Sequence, residues 1–254
     1  MSQARLSITD LKKSFGGRTV VSVDRLEIGR HRIEGLIGPN GAGKTTLMGL
    51  ITRKLTADAG RLIYRPGDTD IDLGSMSMDM VARAGLVKTN QVIQDFESLS
   101  IRDSLRLSLA LPEWERFWTV FARRRNDERI EAEIDEILTH FPFANPGGKA
   151  LSAGEKKLLD IIRCLLLRPR VLLMDEPTAG LPDDLTRAVM TLVEQKADEN
   201  DMSVFIIEHD LDLIWDYCAH VHFLAEGQLL CDGSPKEVRD HPVVVEKYMG
   251  IVDA

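Results

Sequence analysis

Residues 38–45, GPNGAGKT, have the types and the spacing of a loop that binds phosphate. The glycines let the backbone curl so that several N–H groups point inward at phosphate oxygens, and a following helix presents its positive end to the same anion. Lys44 adds a charge for the β- and γ-phosphates of a nucleotide, and the Thr45 hydroxyl can bind Mg²⁺. The predicted nucleotide contacts in this segment are Gly38, Pro39, Asn40, Gly41, Ala42, Gly43, Lys44, Thr45 and Thr46.

Two later apolar runs also end in polar residues. VLLMDE predicts a buried strand with Asp175 at its carboxyl end, where ligands bind in open α/β sheets and where a carboxylate can hold Mg²⁺. Because successive side chains of a strand point in opposite directions, Glu176 points away from the direction of Asp175. There it can orient or deprotonate a water that attacks the γ-phosphate. In FIIEHD, His209 follows the end of an apolar strand, and convergence of three strand ends at one sheet edge predicts that His209 contacts the γ-phosphate. The alternatives are a capping or solvated acid at Glu176 and a structural histidine at His209.

The segment LSAGEKK, residues 151–157, has the spacing of a capped helix start. Ser152 and Glu155 are three residues apart just before an apolar run, which predicts a capping box. Ala153 and Gly154 leave bare backbone at the same place, so this segment is either a plain cap or a surface that holds a phosphate.

Composition limits the classes of function. The chain has 254 residues, which suits one domain with an elaboration. Its net charge of −8 argues against the broad basic surface of nonspecific nucleic-acid binding, so no nucleic acid is expected as a partner. The three cysteines do not have the spacing of a metal site, and so few cysteines are typical of a protein in a reducing cytosol. No uninterrupted apolar run reaches the roughly 18 residues of a membrane span, and no apolar signal-peptide core opens the chain. An intracellular protein that can dock on a membrane protein is therefore expected.

The elements that must position these residues follow from the hydrophobic pattern. Short β-rich runs open the chain, IEGLIGPNGAGKTTLMGLI predicts strand, turn and helix, and residues 101–141 have mainly helical spacing. Strands and helices then alternate, which implies a parallel sheet covered on both faces. Within the helical region, Arg123, Arg124 and Arg125 are either a solvated helix face or loop, or a contact surface for a partner or lipid headgroups.

Together, GPNGAGKTT, LSAGEKKLLDIIRCLLLRPRVLLMDEPTAGL and FIIEHD resemble the ATP-binding-cassette (ABC) ATPases, the motor subunits of ABC transporters, over nearly the whole chain. The resemblance implies an α/β fold: a P-loop NTPase core with a mostly parallel sheet, an N-terminal antiparallel β subdomain and an inserted α-helical subdomain. It implies one domain over residues 1–254, with the core and β subdomain at about 1–97 and 150–254 and the helical subdomain at about 98–149. It also implies ATP and Mg²⁺ as the bound groups.

The resemblance also assigns roles to residues. Phe15 matches the aromatic that stacks on adenine, and Gln91 matches the glutamine that contacts Mg²⁺ and the attacking water. Ser152, Gly154 and Glu155 match the signature segment, which meets the ATP of a second subunit; Ala153 and Glu155 stand where the family usually has glycine and glutamine. The implied catalytic residues are Glu176, His209, Lys44 and Gln91, and the implied Mg²⁺ contacts are Thr45, Gln91 and Asp175.

Within the family, SFGGRTVV, KTNQ, the insertion around residues 114–125 and the tail GSPKEVRDHPVVVEKYMG resemble ATPases of branched-chain amino-acid importers and their urea and amide relatives. This implies an importer ATPase at the cytoplasmic face of the inner membrane. The implied partners are transmembrane permease subunits, a second ATPase (the same chain or a paralogue) and an extracytoplasmic solute-binding protein. The alternatives are an exporter cassette, such as one for lipopolysaccharide, and a soluble ABC ATPase of DNA repair or translation. A P-loop kinase or GTPase does not account for LSAGE before a strand that ends in Asp-Glu.

Overall fold

The computed structural model describes residues 3–89, 99–110, 120–141, 143 and 151–249; the side chains of residues 108–110, 120–127, 129 and 249 lie outside this description. Within these ranges the strands are β1 (Leu6–Phe15), β2 (Arg18–Ile28), β3 (Ile33–Ile37), β4 (Ala59–Tyr64), β5 (Ile71–Asp72), β6 (Leu86–Lys88), β7 (Val171–Asp175), β8 (Ser203–Ile207), β9 (His220–Ala225) and β10 (Gln228–Gly233). The helices are α1 (Lys44–Ile51), α2 (Met78–Arg83), α3 (Ile101–Ala110), α4 (Val120–His140), α5 (Ala153–Leu166), α6 (Asp183–Glu199), α7 (Leu211–Tyr217), α8 (Pro235–Arg239) and α9 (Pro242–Val244). Short 3₁₀ and π turns lie at Leu73–Ser75 and Val245–Met249.

The described strands form two sheets. β2, β1, β4 and β5 make an antiparallel sheet in that order, and β10, β9, β3, β8, β7 and β6 make the second sheet. All neighbours in the second sheet are parallel except β9 and β10, which form a hairpin. The predicted α/β fold, with a mostly parallel sheet and an N-terminal antiparallel sheet, is confirmed.

The central strands β3, β7 and β8 of the larger sheet are buried because both faces of the sheet are covered there. Along β8, Val204 and Ile206 join the apolar core formed with α5 and α6, whereas Phe205 and Ile207 join the core formed with α1 and the antiparallel sheet. This alternation explains why β7 and β8 each carry consecutive apolar residues, VLLM and VFII: each face of the strand meets a separate core.

Two helices from the predicted helical region pack on α5. Ile101 and Leu105 of α3 and Ile134 and Ile137 of α4 belong to the same core as the α5 side chains. Arg106 of α3 adds an ion pair with Glu131 of α4, with 2.6 Å between Nε and Oε1. The subdomain limits at residues 97/98 and 149/150 fall outside the described residues, so they stay predictions.

Residues 123–125 have helical backbone in α4, but their side chains lie outside the described part of the chain. Both interpretations of the three arginines therefore stay open. Within the residues that the structure describes, no helix has both the length and the apolar character that crossing a bilayer requires.

Substitution in β7 should test whether this sheet carries the stability of the fold. Leu173 is fully buried, so Leu173→Ala is expected to lower the free energy of unfolding by about 2–5 kcal/mol. Leu167→Ala is the matched control, because Leu167 is 40% exposed and its truncation should cost less than about 0.5 kcal/mol. Urea unfolding followed by circular dichroism measures both, and equal losses would contradict the assignment of Leu173 to the core.

Candidate active site

The loop between β3 and α1 has glycines where its backbone leaves no space for a side chain. Gly38 has φ 154°, and a Cβ on it would lie 1.9 Å from the carbonyl oxygen of Leu224. Gly43 has φ 103° and precedes α1. Because glycine has no side chain with which to cap the helix, the first N–H groups of α1 stay available to an anion.

Lys44, the first residue of α1, turns back over this loop. Its side chain is buried, and Nζ donates to the carbonyl oxygens of Gly38 at 2.5 Å and Pro39 at 3.1 Å. Burial lowers the pKa of Lys44, and the nearby carboxylates of Glu176 and Asp175 oppose that shift. The loop thus places a positive charge next to two acidic side chains.

A cavity of about 240 Å³ collects the residues that the sequence predicted to converge. Polar groups from three strand ends line it, together with the apolar side chains of Val20 and Ile207. The predicted residues in its lining are Asn40, Gly41, Ala42, Gly43, Lys44, Thr45, Thr46, Asp175, Glu176 and His209.

Asp175 forms an ion pair that the sequence reasoning did not foresee. Its carboxylate is almost completely buried, and Oδ2 lies 2.9 Å from Nζ of Lys88 at the end of β6. The backbone N–H of Asp175 also donates to the Thr89 hydroxyl at 3.3 Å. Both partners, Lys88 and Thr89, come from the VKT segment just before Gln91. In the sequence, only the presence of a lysine in this segment could have indicated an ion pair with Asp175. Gln91 itself lies outside the described residues.

Glu176 and His209 face each other across the cavity. Nε2 of His209 lies 3.2 Å from Oε1 of Glu176, and each side chain is about two-fifths exposed, at 39% and 41%. Glu176 has φ 49°, a left-handed backbone that is costly for a residue other than glycine and that is often found at functional sites. Its N–H donates to the Ile207 carbonyl at 2.8 Å, which fixes the start of the turn after β7 against β8.

Two further residues hold this turn, and neither was assigned a role from the sequence. Nζ of Lys157 in α5 donates to the carbonyl oxygens of Glu176 at 2.7 Å and Ala179 at 2.9 Å. Buried Glu208 accepts from the backbone N–H of Thr178 at 3.0 Å and from its hydroxyl at 2.7 Å. The other carboxylate oxygen of Glu208 accepts from the His209 N–H at 3.1 Å, so Glu208 joins the turn to the segment that carries His209.

The signature segment forms the predicted capping box at the start of α5. Ser152 Oγ accepts from the Glu155 N–H at 3.2 Å, and Glu155 Oε2 accepts from the Ser152 N–H at 2.9 Å. Gly154 lies close to the turn after β7, since a Cβ there would be 3.0 Å from the Leu181 side chain. The described lining of the cavity does not include residues 152–155.

Phe15 lies at the end of β1 and is 47% exposed. Nζ of Lys13 lies over the ring of Phe15, 5.3 Å from the ring centroid, which is a cation–π contact. Phe15 is also absent from the described lining of the cavity, although Val20 of the adjacent β2 belongs to it.

Comparisons with known proteins agree with this geometry. The family model described as "ABC transporter" matches residues 22–179. The chain is 30% identical to the branched-chain amino acid transport ATP-binding protein BraF of Pseudomonas aeruginosa, over 98% of this chain and 99% of BraF. It is 29% identical to the lipopolysaccharide export ATP-binding protein LptB of Escherichia coli, over 97% and 98%. The ADP conformation of MJ1267, an ATP-binding cassette of an ABC transporter, superposes with a TM-score of 0.79 at 26% identity, covering 98% of this chain and all of that one.

The contacts of Lys157 generate a prediction about the turn after β7. Lys157→Met removes two hydrogen bonds from a charged donor, each worth about 1.5–3 kcal/mol. Amide hydrogen exchange in residues 178–181 should therefore become at least tenfold faster. Lys54→Met, at an exposed position, is the matched control and should leave these rates unchanged. Unchanged exchange in Lys157→Met would mean that other contacts hold the turn.

Proposed function

The chain belongs to the ABC transporter family, and from that premise we propose that it is the ATP-hydrolysing subunit of an importer for an amino acid or a small amide- or urea-like solute. The observation that carries the proposal is the convergence of the phosphate loop, Asp175, Glu176 and His209 on one cavity, in a chain that matches ATP-binding cassettes along its length. Membership of this family shows that the chain is an ATPase. The roles of individual residues and the identity of the solute are what we propose.

The loop would bind the triphosphate through its backbone N–H groups, through the start of α1 and through Lys44. A Mg²⁺ ion fits the residues present, because the Thr45 hydroxyl and the Asp175 carboxylate line the same cavity and are oxygen ligands of the kind that this ion prefers. When bound, Mg²⁺ would neutralise charge that develops on the phosphates. Gln91 would add a contact to this ion, and Phe15 would stack on adenine.

Glu176 would accept a proton from the attacking water. Its carboxylate lines the cavity, is accessible to solvent and lies 3.2 Å from His209, which favours a place for water between them and the γ-phosphate. His209 would donate to the γ-phosphate, and Lys44 would balance its charge. Lys157 and Glu208 would act as positioning residues, because they hold the turn and the strand end that carry Glu176 and His209.

A second cassette would complete each site. Ser152 and the backbone around Gly154 would bind the γ-phosphate of the other subunit's ATP, where the start of α5 favours an anion. Glu155 would contribute less to ATP, because its carboxylate already accepts from the Ser152 N–H. ATP would close the dimer, and hydrolysis would release it. The second cassette is either a copy of this chain or a paralogue.

The proposed transporter also requires permease subunits in the membrane and an extracytoplasmic solute-binding protein. The cassette would sit peripherally on the cytoplasmic face of the inner membrane. Similarity to BraF over nearly the full length of both chains supports an importer of this kind.

An exporter cassette is the second candidate, because similarity to LptB has almost the same extent. Purification of the tagged chain from its own cells in detergent should separate the two. We expect co-purification of permease subunits together with a binding protein for an amino acid or amide. Membrane partners that bind lipopolysaccharide would instead favour the exporter.

Glu176→Gln should nearly abolish ATP hydrolysis, because the amide cannot accept the proton of the attacking water. It should retain ATP binding and trap the ATP-bound dimer, detected by size-exclusion chromatography. Glu194→Gln, an exposed acid on α6, is the matched control and should hydrolyse ATP normally. Unchanged turnover in Glu176→Gln would remove this residue from the catalytic step.

Ser152→Ala distinguishes an ATP contact from a plain helix cap. Ser234 begins α8 in a second capping box, with Glu237 as its partner, so Ser234→Ala removes the same kind of hydroxyl elsewhere. Both variants should lose about 0.5–2 kcal/mol of stability. Only Ser152→Ala is expected to weaken ATP-dependent dimerisation and hydrolysis. If the two variants behaved equally in both assays, residues 151–157 would be only a helix cap and would not contact ATP.

A further inference from the structure

A group of histidines lies at the amino end of β9, away from the active site. Three of the six histidines in the chain lie here: His31, His220 and His222. The cavity, by contrast, lies at the carboxyl ends of the parallel strands. Since His220 precedes Leu224 by four strand residues, about 13 Å of β9 separates the histidines from the loop at Gly38.

His220, His222 and Asp232 share one face of the β9–β10 hairpin. His220 and His222 are two residues apart in β9, and Asp232 of β10 lies directly opposite His222 in the antiparallel register. One ligand atom from each of the three side chains lies within 4.8 Å of the other two. Nε2 of His220 is already 3.0 Å from Oδ2 of Asp232. Two ligands of one tetrahedral zinc ion are about 3.3 Å apart, so small side-chain movements would complete the set.

The second observation is an unpartnered nitrogen on His222. Only 3% of this side chain is exposed to solvent. Among the described residues its Nδ1 has no hydrogen-bond partner. A buried polar atom in that condition costs about 1–3 kcal/mol. A hydrogen-bonded pair of His220 and Asp232 accounts for two of the three side chains, but it leaves the His222 nitrogen unexplained.

Glu34 supplies the contact that a metal-binding histidine usually has on its other nitrogen. Its Oε2 lies 3.5 Å from His222 Nε2, a long contact between two buried side chains. Its Oε1 accepts from the backbone N–H groups of Gly29 at 3.1 Å and His31 at 2.8 Å, which fixes the carboxylate. A carboxylate on Nε2 favours the tautomer that carries a proton there and leaves Nδ1 free to bind a metal.

The surroundings also suit an ion that enters from solvent. Asp232 is 52% exposed and His220 is 20% exposed, whereas His222 is the buried end of the group. The ring of His31 stacks on that of His220, with centroids 5.0 Å apart and planes within 2°. This stacking restricts the His220 ring, so less side-chain freedom would be lost on binding.

We propose that His220, His222 through Nδ1, and Asp232 bind a divalent transition-metal ion of the zinc type, with Glu34 orienting His222 and solvent completing the coordination. Two imidazoles and a carboxylate suit Zn²⁺ and not Mg²⁺, which requires oxygen ligands. The ion would join β10 to β9 and stabilise the folded chain by mass action. This site is separate from the nucleotide site and does not depend on the proposed function.

The test uses the full-length, metal-stripped chain without nucleotide. Zn²⁺ is titrated by calorimetry, and Co²⁺ is titrated by visible absorption as a probe of tetrahedral nitrogen and oxygen ligands. We expect one site per chain, with a rise in melting temperature on addition of Zn²⁺. His220→Gln and Asp232→Asn, at partly exposed positions, should each weaken binding at least tenfold and abolish that rise. Circular dichroism of both variants shows whether they fold.

Two variants serve as controls. His140→Gln, an exposed histidine on α4, should bind both ions as the parent chain does. His209→Ala should also keep the Co²⁺ spectrum, although His209 and Glu176 are close enough to attract an ion. Loss of binding in His209→Ala, unchanged binding in His220→Gln, a sulfur-to-cobalt charge-transfer band or no Co²⁺ absorption at all would each overturn the proposal.

Discussion

The parallel register of β3, β8 and β7 is the constraint on which the active site depends. Leu36 pairs with Ile207, and Ile207 pairs with Asp175, so the three strands reach the same level of the sheet. The residues that follow them therefore meet at one edge: the phosphate loop, His209 and Glu176. A shift of β7 by one residue against β8 would turn Asp175 from the cavity toward the opposite face. The two apolar cores that cover the sheet prevent such a shift, because each strand has large side chains fixed on both faces.

Two acidic side chains at this edge, Asp175 and Glu208, are buried and have side-chain partners. Asp175 meets Lys88 at 2.9 Å, and Glu208 accepts two hydrogen bonds from Thr178. A buried charge that loses its partner is far more costly than the pair is favourable, so each of these contacts fixes a geometry more than it adds stability. Glu208 and Lys157 then link the turn after β7 to the His209 segment and to α5. The acidic side chain that faces solvent, Glu176, is held by its backbone, whereas the buried acids are held by their side chains.

The sequence predicted the parts of this site that local patterns encode. The phosphate loop, the strand before Asp175 and the capping box at Ser152 each depend on residues within a few positions, and the structure has all three. The sequence did not predict the roles of Lys88, Lys157 and Glu208, because their partners are 87, 19 and 30 residues away along the chain. A pattern of neighbouring residues cannot indicate contacts over such separations. The β9–β10 hairpin was missed too: its two-residue turn, Glu226 and Gly227, has positive φ at both positions but lacks the common Asn-Gly pair. The roles of Phe15 and Gln91 stay predictions.

The hairpin that was missed bears directly on the phosphate loop. At its turn, the N–H of Gly227 donates to the Ala42 carbonyl at 3.0 Å, and the Gly227 carbonyl accepts from the Ser22 N–H at 2.7 Å. The carbonyl of Leu224 lies where a side chain on Gly38 would be. The loop is thus held from outside by β9 and by the turn, and the histidine group lies at the opposite end of the same two strands. Backbone pairing between β9 and β10, with one bulge near Leu229, connects these two ends of the hairpin. The hairpin is therefore a structural support of the phosphate loop, and its contacts there come from backbone atoms of β9 and of the turn.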